Sequence, residues 1–176
     1  MEYYIWIAVV AVFALRLLFL KISIRNERSI LQNGGIEYGV KNSKILTILH
    51  IVFYLSCFIE AIVTKAKFDT QSAIGAGLIV FSMIMLYVVI SLLDGIWTVK
   101  LMVAKEHKFN NHCLFKTVKH PNYFLNIVPE LIGLAMLCHA FYSAVIILPV
   151  YAFILYRRIE EENRILKEII IPNGNK

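Results

Sequence analysis

The sequence predicts an all-α integral membrane protein of about five transmembrane helices. Three observations carry that reading. The 176-residue chain is 59% hydrophobic and 17% charged, against roughly 45–50% and 25% in soluble domains. Its apolar residues gather into four long runs. Its cations are arranged so that fifteen fall on one side of those runs and two on the other. The length suits one domain, taken as 1–176. The net charge of +6 invites a nucleic-acid partner, but the apolar runs leave little room for a basic face, and no nucleic acid is expected.

The first run, Tyr3–Leu20, is broken only by Arg16. It lacks a basic leader and a small-residue cleavage site, so it reads as an anchor and not as a signal peptide. Arg16 is expected near a helix end, where its long side chain can snorkel. The second run is Ile45–Val63, with Glu60 near one end as an interfacial residue. The third is Ala73–Leu93, and its Gly75-x-Gly77 reads as close helix packing. Three spans thus occupy 1–93. The fourth run, Tyr123–Tyr156, holds 34 residues with Glu130 and His139 as its ionisable members. About 20 residues cross a bilayer, so this stretch is too long for one helix and slightly short for two. With Cys138-His139-Ala140 at its middle, it predicts two short helices in a hairpin, kinked at Pro129 and Pro149.

The connecting segments test that count. Segment 21–44 carries Lys21, Arg25, Arg28, Lys41 and Lys44, with Gly34-Gly35 as a turn. Segment 94–122 carries Lys100, Lys105, Lys108, Lys116 and Lys119. The tail carries Arg157, Arg158, Arg164, Lys167 and Lys176. The remaining loop has only Lys65 and Lys67, and the hairpin tip has none. Basic loops stay in the cytoplasm, which predicts an external N-terminus and a cytoplasmic C-terminus, as an odd span number requires.

The hairpin also predicts which polar residues meet. His120 lies nineteen residues before the tip and Arg158 nineteen after it, so both emerge on one face. Pro121 disfavours helix at His120 and suits the start of a helix beyond it. Free N–H groups there can bind an anionic group. Arg158 and Glu162, four residues apart, share a helical face. On spacing alone they read as a surface ion pair worth about 0.3–0.5 kcal/mol. Glu130 lies about two turns into an apolar helix, where an ionisable group is a functional candidate; the competing reading is a hydrogen-bonded glutamate that locks helices together. Spacing among His107, His112, His120 and His139 makes no metal site, and Cys57, Cys113 and Cys138 imply neither a disulfide framework nor a metal.

The run His107-Lys108-Phe109-Asn110-Asn111-His112-Cys113-Leu114-Phe115 leads without a gap into Lys119-His120-Pro121-Asn122-Tyr123. After the hairpin comes Arg158-Ile159-Glu160-Glu161-Glu162-Asn163-Arg164-Ile165-Leu166. Over about the last eighty residues, this pairing resembles the isoprenylcysteine carboxyl methyltransferase family, membrane enzymes that use S-adenosylmethionine. Departures from the family pattern are Cys113 for Gly, Phe115 for Tyr, Lys119 for Arg and Asn163 for the second Glu. Arg25-Asn26-Glu27, Gly34-Gly35-Ile36-Glu37-Tyr38-Gly39, Trp97-Thr98, Glu130 and His139-Ala140 resemble a bacterial branch that O-methylates alkylpyrone-type lipids.

The resemblance implies a single methyltransferase domain, with a cofactor loop, hairpin and C-terminal helix over 94–176 and a cytosolic cofactor pocket. His107, Phe109, Phe115, His120, Pro121, Asn122, Tyr123 and Glu162 match cofactor-contacting positions, and Arg158 matches the residue that holds the acceptor. Arg158 and Glu130 are the expected catalytic residues. The expected cofactor is S-adenosyl-L-methionine, and the partner a lipophilic acceptor from the bilayer, a carboxylate or an acidic enol or phenol, such as a prenylcysteine-like lipid or an alkylpyrone. The expected site of action is a bacterial plasma membrane. Two competing classes are an NADPH-dependent membrane reductase of the sterol-reductase type and a non-catalytic adaptor or transporter.

Overall fold

Helices dominate because the apolar runs must satisfy their backbone internally once inside lipid. In a computed structural model that describes residues 2–105 and 112–170, six α-helices follow in order: α1 Tyr3–Gln32, α2 Val40–Val63, α3 Thr70–Leu92, α4 Cys113–Thr117, α5 Val128–Leu137 and α6 Phe141–Ile165. A π-helical segment, Asn122–Ile127, leads into α5, and another, Leu166–Ile170, follows α6. Helices α1, α2, α3 and α6 are long and apolar enough to cross a membrane, and Asn122–Leu137 forms a shorter apolar helix. The chain is an integral membrane protein with four candidate spans. Large apolar side chains such as Ile48, Leu55, Ile84, Val145 and Phe153 stand exposed on these helices, as they would facing lipid.

The hairpin is asymmetric where two short arms were expected. Its first arm is short, while α6 has 25 residues and carries the tail on without a break, through Pro149, past Arg158 and Glu162. Helix α1 likewise runs to Gln32, twelve residues beyond the apolar run. At about 1.5 Å per residue, its 30 residues span roughly 45 Å, more than a hydrocarbon core of about 30 Å. The overhang supports a small antiparallel ribbon that hydropathy did not reveal: β1 Ile36–Tyr38 pairs with β2 Leu101–Val103 in the register Ile36 to Val103. Gly34 turns the chain into it at φ +79°.

The opposite end of the bundle is closed by polar ties. The Glu60 carboxylate accepts from the backbone N–H groups of Tyr142 and Ser143 at 2.9 and 2.8 Å and from the Ser143 hydroxyl at 2.6 Å. It caps the first turn of α6, whose own N-cap, Ala140, offers no side-chain acceptor. His139, at φ +53° in the hairpin tip, lies 3.2 Å from Asp69 and 3.1 Å from the Ser72 hydroxyl. The N–H of Ser72 in turn donates to Asp69, which holds that carboxyl below the usual range.

Between the two ends, α3 and α5 touch backbone to backbone. A Cβ on Gly75 would come within 2.5 Å of the Gly133 carbonyl oxygen, and one on Gly133 within 2.7 Å of that of Gly75. Helix association in lipid relies on such close packing, because burial away from water drives nothing there. Gly77 has nothing within 4 Å of its Cβ position, so only one half of the Gly75-x-Gly77 expectation is packed.

Candidate functional site

The ribbon end holds a cavity of about 350 Å³, within the size range of small-molecule pockets. Its walls come from the C-terminal end of α3, the segment 96–102, α4, the start of the π-helical segment and the last turns of α6. Both halves of the sequence motif line it: Phe115, Lys119, His120, Pro121, Asn122 and Tyr123 from one, Arg158, Glu162 and Asn163 from the other. The equal residue distance of His120 and Arg158 from the hairpin tip accounts for that meeting. His107 and Phe109 lie outside the described residues.

Pro121 caps the π-helical segment at φ −62°, the value its ring enforces. That turns His120 inward, 4% exposed. The His120 Nδ1 lies 3.1 Å from Glu162 Oε1, and its Nε2 lies 3.1 Å from the Asn163 side-chain amide. The carboxylate fixes Nδ1 as the protonated nitrogen. Asn163 stands where the resemblance has a glutamate, and its amide can turn either end to Nε2.

The Tyr123 ring stacks on His120 with centroids 5.8 Å apart. Its hydroxyl donates to Glu162 Oε2 at 2.6 Å and accepts from Arg158 Nε at 3.2 Å. Arg158 is 3% exposed, so it is no surface residue. Its Nη1 donates to the Ser43 hydroxyl on α2, and its Nη2 to the Val99 carbonyl at 3.4 Å. A guanidinium has five N–H bonds. Three have partners among the described residues, and the terminal N–H bonds of a guanidinium are of the kind that hold a carboxylate. Glu161, next to this group, docks on the other side: it accepts from Asn42 at 3.1 Å and sits against Gly39, whose φ is +59°.

The wall opposite α6 is held in part by Asn26, Glu27, Glu37 and Trp97, which the sequence connected with a lipid-methylating branch. Asn26 donates to the Trp97 carbonyl at 2.9 Å, and the Val99 N–H donates to the Ser23 hydroxyl at 2.9 Å. Lys100 pairs with Glu27 and with Glu37, the latter at 3.3 Å, and the hydrogen bond to Glu27 chiefly raises its pKa. Ser23, Ser43, Val99 and Lys100 were missed as members of this region. Ser23, Asn26 and Glu27, at i, i+3 and i+4, are the signal that points to Val99 and Lys100, because they mark one face of a helix continuing past Leu20; no such signal marks Ser43.

Glu130 is absent from the cavity walls. It is fully buried elsewhere, paired with Arg16 and accepting from the Tyr54 hydroxyl, with His50 Nε2 at 3.8 Å. The second nitrogen of His50 faces the Tyr151 hydroxyl at 3.4 Å. Arg16 does not snorkel. It sits at the middle of α1 and turns into the bundle, because a partner carboxylate there outweighs the reach to an interface. Glu130 therefore joins α1, α2 and α5, in line with the helix-locking reading of that residue.

The model of the "Isoprenylcysteine carboxyl methyltransferase (ICMT) family" matches residues 75–168, more than half of the chain. An uncharacterized protein of Haemophilus influenzae is 43% identical over 166 residues, covering 94% of this chain and 96% of that protein. The uncharacterized protein YpbQ of Bacillus subtilis is 24% identical over 164 residues, covering 93% and 96%. No solved structure gives a significant match.

Proposed function

The chain belongs to the isoprenylcysteine carboxyl methyltransferase family, and from that premise we propose that it is an S-adenosylmethionine-dependent O-methyltransferase acting on a lipophilic acceptor in the membrane. The observation that carries this reading is the cavity lined at once by His120-Pro121-Asn122-Tyr123 and by Arg158 and Glu162. Its volume, aromatic walls and mixed charge fit a nucleoside bearing an amino acid.

In this reading Phe115, His120, Pro121, Asn122, Tyr123 and Glu162 hold the cofactor, together with His107 and Phe109 of the same motif. Glu162 has lone pairs left beyond those facing His120 and Tyr123, and they suit the hydroxyl or amino groups of a nucleoside. Phe115 brings no hydroxyl, so it contributes a ring wall. Arg158 orients the acceptor oxygen with N–H bonds that have no partner among the described residues. Glu130 serves by fixing helix positions.

When bound, S-adenosylmethionine would supply an electrophilic methyl group for the acceptor oxygen, with S-adenosylhomocysteine as the leaving group. A carboxylate is ionised at neutral pH and an acidic enol partly so. The protein's task is then orientation and exclusion of water, not proton abstraction. An alkylpyrone-type enol or a prenylated thiol-acid both satisfy these demands. The basic clusters favour a cavity and C-terminus in the cytoplasm, where the cofactor is, and an N-terminus outside a bacterial plasma membrane. The domain is one unit, with 1–93 as its membrane base and 94–176 as its cofactor part.

The test is to incubate labelled S-adenosylmethionine with membranes carrying the protein and a lipid extract, then to analyse labelled products by mass. A labelled lipid that depends on the protein is expected. Absence of any labelled lipid, together with no binding of S-adenosylhomocysteine by the purified protein, overturns the reading.

A further inference from the structure

The buried cluster around Glu130 is connected to the cavity through two asparagine amides. Arg16 Nη2 lies 3.0 Å from the Asn126 side-chain amide, and that amide lies 3.2 Å from the amide of Asn122, a cavity-lining residue. The orientation of an asparagine amide is a matter of inference from its partners. Here the partners decide it. A guanidinium only donates, so the Asn126 atom facing Arg16 is Oδ1. The other end of that amide, Nδ2, therefore faces Asn122 and donates. The Asn122 atom receiving it is then Oδ1.

Arg16 is itself held by Glu130, which grips it at Nε and Nη2 and is in turn anchored by Tyr54. Asn126 is 1% exposed, so no water competes for its amide. Among the described residues, nothing accepts from Asn122 Nδ2. The two asparagines are brought together by the π-helical segment they share, a conformation found often at functional sites.

We propose that Glu130, Arg16 and Asn126 form a polarity relay that fixes the Asn122 amide with its N–H bonds offered to the cavity, so that the ligand atom bound at Asn122 is a hydrogen-bond acceptor. Glu130, Arg16 and Asn126 are positioning residues; Asn122 is the ligand contact. The inference rests on the methyltransferase reading for the identity of the ligand, a hydroxyl, carboxylate or ring-nitrogen acceptor of the cofactor. It does not rest on that reading for the direction of the relay.

Two measurements on the full chain in detergent test it. The first is a double-mutant cycle read by S-adenosylhomocysteine affinity. Asn126→Asp keeps the acceptor for Arg16 but offers Asn122 only another acceptor. The Asn122 amide must then turn and present its oxygen to the cavity. A loss of about tenfold is expected in the otherwise unchanged protein, and less than twofold in an Asn122→Ala background. Equal losses in both backgrounds would mean a merely structural role and overturn the relay.

The second measurement needs no ligand and no variant in the relay. In protein labelled with 15N-asparagine, the Asn126 side-chain amide protons are expected to exchange slowly with water and those of Asn122 quickly. The reverse order overturns the relay. If the unaltered protein fails to bind S-adenosylhomocysteine, the cofactor reading falls, and the exchange order still decides the relay by itself.

Discussion

Arg158 and Glu162, one turn apart on α6, do not form a direct ion pair; the Tyr123 hydroxyl stands between them, accepting from Arg158 and donating to Glu162. Spacing alone makes them a surface pair, but the helix that carries them is packed against α2, and Tyr123 reaches both of them. Burial turns two charges into a relay with a tyrosine at its centre, and both residues line the cavity.

The first prediction concerns that tyrosine. Tyr123→Phe keeps the ring on His120 and removes the hydroxyl that serves both charges. A hydrogen bond to a charged group is worth about 1.5–3 kcal/mol, so the variant should melt at a lower temperature in detergent. It should also bind S-adenosylhomocysteine more weakly, because Arg158 and Glu162 are then free to close on each other. An unchanged melting temperature and affinity would show that the hydroxyl carries nothing.

The second separates the roles of the two charges. Glu162→Gln keeps the shape and removes the charge, and it should weaken S-adenosylhomocysteine binding at least tenfold, about 1.4 kcal/mol. Arg158→Ala should lower acceptor turnover more than cofactor affinity. Arg158→Lys controls for the ties to Ser43 and Val99, since it keeps a cation but not a fork that can hold a carboxylate. Calorimetry and labelled-product assays read the two quantities separately, and equal losses of both for Arg158→Lys would reassign that residue to the cofactor.

Much of this architecture was legible because membrane physics writes it in one dimension. An apolar run of the right length implies a helix, and the tip at Cys138-His139-Ala140 fixes which residues emerge together. His120 and Arg158 thus fall on one face by residue counting alone. The ribbon was not legible, since three-residue strands at Ile36 and Leu101 carry no periodicity. The fate of Arg16 was not legible either. Snorkelling and inward pairing differ only in whether a carboxylate on another helix is at the same depth, and hydropathy is silent on that. Glu130 announced itself as anomalous without announcing its partner.

A third prediction follows from the contact of α3 with α5. Gly75→Val places branched carbons where the Gly133 backbone oxygen already lies 2.5 Å from a Cβ position. Backbone cannot move aside as a flexible side chain does, and overpacking of this kind costs about 1–3 kcal/mol. Gly77→Val enters open space. Folded yield and melting temperature should fall for the first variant and stay unchanged for the second, though both are glycines two residues apart on one helix. Similar behaviour of the two would deny the close approach.

The last prediction tests the wall formed by α1. Asn26 is buried, and its amide donates to the Trp97 carbonyl. Asn26→Leu keeps a similar volume but leaves that carbonyl without its donor, a loss of about 1–3 kcal/mol. The cost falls on the segment 97–100, which lines the cavity, and not on the helix. The variant should retain its helical circular dichroism while S-adenosylhomocysteine affinity drops at least threefold. Lys100→Met, which cuts the ties to Glu27 and Glu37, should act in the same direction through the same segment. If either variant instead loses helix content and leaves affinity intact in the folded fraction, the overhang of α1 is a brace for the bundle and not a wall of the site.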